Sequence, residues 1–144
     1  MIEDLIKKGL LAKMQPDKQK AFNSLELAEG RIDKGKAELK AEFFDDALLS
    51  AYTSMFHSCR ALMFKDGFKE RSHYAVCEYI REKYQGKIEA KYINELNVLR
   101  TMRHKVIYGD ENLLPKEVQE AEAESSIKLA EGFLAAVEKL LKVK

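Results

Sequence analysis

The chain is short of net charge, proline, glycine and cysteine, and each shortage removes a class of function. Its 25 basic and 24 acidic side chains leave a net +1 at neutral pH. No global basic field therefore draws it to nucleic acid or to a membrane, and contact with a polyanion has to come from a local patch. The two cysteines, Cys59 and Cys77, show no metal-type spacing. Cys59 falls among apolar helix residues as a small buried hydrophobe, which suits a reducing, cytoplasmic setting. No apolar run reaches the length of a membrane span. Charges break up the first eleven residues, so they read as neither a signal peptide nor an anchor. A glycine-rich phosphate loop, an HExxH pair and Cys/His zinc spacing are all missing. Glu70-x-x-His73 occurs once, without the second copy that a di-iron bundle needs. The expectation is no metal, no cofactor and no membrane.

What remains is helical. With 2 prolines and 7 glycines among 144 residues, 46% of them apolar and 34% charged, the composition fits one soluble all-α domain over residues 1–144. A short amphipathic helix is expected from about Ile2 to Leu11, broken by Gln15-Pro16-Asp17. Asp17–Lys40 carries Phe22, Leu25, Ala28, Ile32 and Leu39 at helical spacing. Gly30 and Gly35 weaken it, unless they admit a close neighbour. Glu42–Asp66 is the expected central helix. Phe44, Ala47, Leu48, Ala51, Tyr52, Met55, Phe56, Cys59, Leu62 and Met63 spread over more than one side, and Gly67 ends it. Phe68–Arg71 reads as a connector and Ser72 as the cap of a shorter helix to Tyr84. Helices over Ile88–Tyr108 and Pro115–Leu141 follow, with Asp110-Glu111-Asn112 as a polar loop between them. No stretch alternates with period two for long enough to be a strand. Short connections favour an up-and-down antiparallel helical bundle of four long helices plus a short N-terminal one.

The residues of interest lie near the end of the fifth segment. Ile88, Tyr92, Leu96, Leu99, Met102 and Val106 form one apolar stripe, and Gly109 is the expected C-cap. Arg100, His104 and Tyr108 follow at i, i+4 and i+8, with Arg103 beside them, and read as an opposite, polar stripe. On the central helix Thr53, His57 and Arg60 form a second polar stripe. A solvated helix face or an internally satisfied polar pair explains either stripe without function. Tyr52 and Phe56 read as core.

The segment Phe43–Leu62 (FFDDALLSAYTSMFHSCRAL), the following Ser72-His73, and LRTMRHKVIYGD from Leu99 to Asp110 together resemble the HEPN domains. These are helical domains of higher-eukaryote and prokaryote nucleotide-binding proteins. The likeness runs from about Lys40 to the C-terminus and is nearest to the small stand-alone proteins of bacteria and archaea. It implies a homodimer whose arginine-bearing helices face each other across a cleft. Many such domains are metal-independent ribonucleases, and many are toxins restrained by a nucleotidyltransferase-type partner protein.

The family's signature is an arginine, usually followed by a polar residue, with a histidine four to six positions beyond the arginine. Arg103 matches the arginine, His104 holds the polar position, and Tyr108 stands where the histidine belongs. The implied catalytic set is Arg103, His104 and Tyr108. Arg100, Arg60 and His57 would bind RNA or nucleotide phosphate. The tyrosine bears on catalysis more than on binding, because a phenol with a pKa near 10 is a poor base at neutral pH. It still donates hydrogen bonds and stacks on bases. The competing reading is a non-enzymatic dimeric protein-interaction module, since tyrosine and arginine are common interface anchors.

Overall fold

The computed structural model describes residues 2–109 and 117–142. Its helices are α1 (Ile2–Lys7), α2 (Lys18–Lys40), α3 (Phe44–Asp66), α4 (His73–Tyr84), α5 (Ala90–Tyr108) and α6 (Glu120–Leu140), with two short strands, β1 (Leu11–Lys13) and β2 (Phe68–Glu70). The four long helices are α2, α3, α5 and α6, and the fold is the expected all-α bundle.

Local signals explain most boundaries. Asp17 caps α2, its carboxylate accepting the Lys20 amide at 2.9 Å. Ser72 caps α4, its hydroxyl accepting the Ala75 amide at 3.0 Å. Gly67 ends α3 with φ 91° and ψ 41°. A Cβ there would lie 2.8 Å from the Met14 carbonyl oxygen, so both the conformation and the space demand glycine. Gly109 closes α5 at φ 72° and ψ −172°, a positive-φ conformation beyond the helical left-handed basin, with its amide on the Lys105 carbonyl at 2.8 Å. The Glu122 carboxylate accepts the Gln119 amide at 3.2 Å at the start of α6. The expected opening at Pro115 and the Asp110-Glu111-Asn112 loop fall outside the described residues.

α3 is the centre. It packs against α2, α6, α5 and α4, and Ala47, Leu48, Ala51, Tyr52, Met55, Cys59, Leu62 and Met63 are all buried. Small residues let α2 approach closely. A Cβ on Gly35 would meet the Ser50 Cβ at 3.3 Å and Ile127 at 3.4 Å, whereas one on Gly30 would meet nothing within 4 Å. Buried Ser54 donates to the Ala28 carbonyl at 2.8 Å, so a polar group in this contact stays satisfied. At the far end of α3 the Asp66 carboxylate accepts hydrogen bonds from Tyr79 (2.7 Å) and Tyr84 (2.6 Å), pinning α4.

Two expectations need correction. α1 ends at Lys7 rather than continuing to Leu11. The Leu10 amide bonds back to the Leu5 carbonyl at 2.9 Å and the Gly9 amide to the Ile6 carbonyl at 3.0 Å, a helix-closing pair around a glycine. The chain then runs as β1, antiparallel to β2, with Leu11 opposite Glu70 and Lys13 opposite Phe68. The expected connector at Phe68–Arg71 is therefore largely a strand. Three residues are too few for an alternating pattern to register. The pairing comes from the neighbouring Gly67 turn, where the Met14 amide donates to the Gly67 carbonyl at 2.9 Å.

Candidate functional site

At about 100° per residue, Arg100 and Arg103 lie only about 40° and 20° from Leu96 around α5. Leu96 is fully buried. The two arginines therefore border the core-facing side instead of opposing it, and both are half-buried. The expected opposite stripe is correct only for His104 and Tyr108, which are exposed. Leu96 and Leu99 are buried on the apolar side, while Met102 and Val106 are partly so.

The arginines lean on the start of α4. Arg100 places its guanidinium 5.8 Å from the Tyr74 ring centre and donates to the Asn97 side-chain oxygen at 3.1 Å. Its Nε is shielded from solvent and has no hydrogen-bond partner among the described residues. Neither Arg100 nor Arg103 pairs with a carboxylate among the described residues. Two guanidiniums without a carboxylate partner among the described residues thus share one half-buried face, and guanidinium geometry in general suits phosphate.

The same face holds a ring cluster that the sequence pattern did not reveal. The Tyr52 hydroxyl lies 2.7 Å from Nδ1 of His73. His73 stacks on Phe56 with centroids 4.5 Å apart and on Tyr52 at 5.7 Å, each at 27°. Tyr52 is core as expected, 1% exposed, while Phe56 is half-buried and carries the His73 ring. Burial, then the charge of Arg103, holds the His73 imidazole below its ordinary pKa, with Arg100 adding to this and Glu70 opposing. Burial raises the Tyr52 phenol against the opposing pull of Arg103 and Arg100. Both groups are thus neutral at pH 7. The available signal was a tyrosine on the central helix whose hydroxyl needs a partner when buried.

Of the other expected residues, His104 and Tyr108 lie off this face, whereas His57 and Arg60 reach its edge through Phe56. His104 and Tyr108 form their own exposed pair, with ring centroids 4.9 Å apart. Arg103 and Tyr108 are five residues apart and so diverge by about 140°. Arg60 is engaged by Glu70, Nε to Oε1 at 2.9 Å, and covers the rings of Phe64 and Phe56. His57 meets the edge of Phe56 at 5.9 Å. Burial lowers its pKa, and Arg60 and Arg31 lower it further. Its Nδ1 is shielded, with no hydrogen-bond partner among the described residues. Two surface hollows of about 510 and 490 Å³ lie elsewhere, one beside Tyr92 and Lys128, the other beside Ile88 and Ile93. No group of three or more His, Cys, Asp or Glu residues among the described residues could hold a metal ion, and no described helix is long and apolar enough to cross a membrane.

Comparison with known proteins agrees with this architecture. The chain is similar to a protein of Methanocaldococcus jannaschii whose name makes it a candidate toxin, at 28% identity over 120 residues, covering 82% of this chain and 86% of that protein. The model of the HEPN domain matches residues 22–140. That span contains α3, the His73 cluster and both arginines of α5, and the chain belongs to the HEPN domain family.

Proposed function

We propose that this chain is an RNA- or nucleotide-binding HEPN protein that holds phosphate with Arg100 and Arg103 and acts as a toxin of toxin–antitoxin type. The observation that carries the reading is the pair of half-buried guanidiniums side by side on α5, unmatched by acid among the described residues. An anion is the natural complement of that charge, and the face lines neither of the two hollows above, which favours an extended polyanion over an enclosed small molecule. The candidate-toxin relative supports the toxin part; restraint by a nucleotidyltransferase-type partner is part of the proposal and comes from the family resemblance alone.

Metal-independent RNA cleavage is a second, separable part of the proposal. A 2′-hydroxyl attacks the adjacent phosphorus, the P–O5′ bond breaks to leave a 2′,3′-cyclic phosphate, and the 5′-oxygen departs as a hydroxyl with a proton from the imidazolium or from water. Arg103 offsets the charge that develops on phosphate. An imidazole such as that of His104 takes the hydroxyl proton, and Tyr108 hydrogen-bonds or stacks beside it. Within one chain His104 points about 100° away from Arg103. The proposal therefore includes a homodimer in which the second copy completes the cleft.

The test is incubation of purified protein with labelled RNA beside an Arg103→Ala control. Cleavage by the first and none by the second supports the reading, and equal cleavage by both points to a contaminant. A second reading, a protein-interaction module, is favoured by the exposed apolar groups of the same region, Tyr108 (69% exposed), Val98, Ile107 and Tyr74. Under it, Arg103→Ala weakens capture of a partner protein and leaves RNA untouched.

A further inference from the structure

We infer that His73, held in one orientation by Tyr52, is a third phosphate-binding group of the arginine face, donating from Nε2 to a non-bridging oxygen of an RNA phosphodiester. The inference rests on the binding reading above and adds to it a residue outside the family's arginine–histidine signature.

Three features place His73 there. Its ring is fixed on two sides, by Phe56 at 4.5 Å and by Tyr52 at 5.7 Å. A ring held this way presents its remaining nitrogen in one direction. Its chain neighbour Tyr74 lies under the Arg100 guanidinium, so α4 brings the imidazole up to the α5 arginines. Finally, Nδ1 is 2.7 Å from the Tyr52 hydroxyl.

That last contact sets the tautomer. Tyr52 is buried and its hydroxyl stays protonated, because burial raises its pKa. The hydroxyl makes this hydrogen bond and no other among the described residues, so its buried proton is satisfied only by donating to Nδ1, which then accepts. A neutral imidazole carries one proton, so that proton sits on Nε2. His73 is then a fixed N–H donor without a charge of its own, next to two guanidiniums. A third cation would be repelled there, whereas a neutral donor adds a hydrogen bond to an anion at no such cost. Tyr52 is a positioning residue: it acts only through His73.

The experiment titrates the full chain with a fluorescein-labelled single-stranded RNA, followed by anisotropy and by nitrogen-15 imidazole spectra. In the unmodified protein the spectra should show the Nε2–H tautomer of His73, with its resonances shifting as RNA is added. Tyr52→Phe should mix the tautomers and weaken binding. The double variant Tyr52→Phe/His73→Phe replaces the bonded pair by two apolar rings of similar shape. That exchange leaves no buried hydroxyl unpaired, so the melting temperature should change little while RNA binding weakens about tenfold.

Wild-type affinity in a folded double variant, or His73 resonances that ignore RNA while Arg103→Ala abolishes binding, would overturn the role of His73 and leave the arginine reading standing. No RNA binding by the unmodified protein would overturn both. If the double variant fails to fold, the spectra of the unmodified protein decide.

Discussion

Nε of Arg60 lies 2.9 Å from a carboxylate oxygen of Glu70, and the pair exists because β1 pins β2 alongside the end of α3. Arg60 is thereby matched by a carboxylate, while Arg100 and Arg103 have none among the described residues. Arg60→Ala should leave RNA affinity within about twofold, because its charge is already met, whereas loss of an arginine free to contact phosphate costs more. Glu70→Gln should destabilise the fold by about 1–2 kcal/mol, since both members are largely shielded and the hydrogen bond is charge-assisted. Anisotropy with labelled RNA measures the first and urea denaturation the second. A large affinity loss on Arg60→Ala would place Arg60 in the binding face after all.

The two glycines of α2 should respond in opposite ways to alanine. At Gly30 the new methyl meets nothing, and alanine should stabilise by roughly 0.5–1 kcal/mol through helix propensity. At Gly35 it meets Ser50 and Ile127 at 3.3 and 3.4 Å. These atoms belong to the packed α2–α3–α6 contact, where extra volume costs about 1–3 kcal/mol. Gly35→Ala should thus end at least about 1 kcal/mol below Gly30→Ala in stability. Equal denaturation midpoints would mean that α2 can move away from α3.

These contrasts separate what the sequence states from what it leaves open. The wide apolar face of α3, the cap at Ser72 and the stop at Gly67 are local signals, and each appears where the pattern puts it. The strand pair is not local: Leu11 faces Glu70 across most of the N-terminal half of the chain, and neither three-residue segment has a period of its own. The arginine face was half legible. Spacing gives the angle of Arg100 around α5, but only the fold shows which neighbour covers that angle. Tyr52, Phe56 and His73 become one cluster only when α4 is laid against α3.

Acid should weaken the fold through two histidines. Burial is the first cause of the lowered pKa at both His57 and His73, reinforced by Arg60 and Arg31 at the former and by Arg103 and Arg100 at the latter, with Glu70 opposing at His73. A histidine whose folded pKa is depressed binds its proton more readily when unfolded. Its stabilising contribution is present above the unfolded pKa, about 6.5, and is lost as pH falls below it. Melting temperature should therefore drop between pH 7 and pH 5, and the Tyr52→Phe/His73→Phe variant should lose less over that range. The same slope in variant and parent would show that His73 does not titrate with unfolding.

At high pH the phenols act in the other direction. Burial, then the Asp66 carboxylate, raises Tyr79 and Tyr84. A raised phenol favours the folded state until pH passes the unfolded value near 10, above which the unfolded chain ionises first and stability falls. Tyr84→Phe should flatten that alkaline decline at the cost of the 2.6 Å bond to Asp66. Circular-dichroism melts between pH 8 and 11 measure it, and an unchanged decline would remove Tyr84 as its source.

The salt dependence of RNA binding tests the anion-binding claim most directly. For single strands the slope of log K against log salt is about −0.7 per phosphate contact. Replacing both Arg100 and Arg103 with alanine should reduce the slope by about 1.4 and lower affinity at least tenfold at moderate salt, with the melting temperature little changed. A double variant that binds RNA with the parent's affinity and slope would contradict the claim that these two guanidiniums hold phosphate.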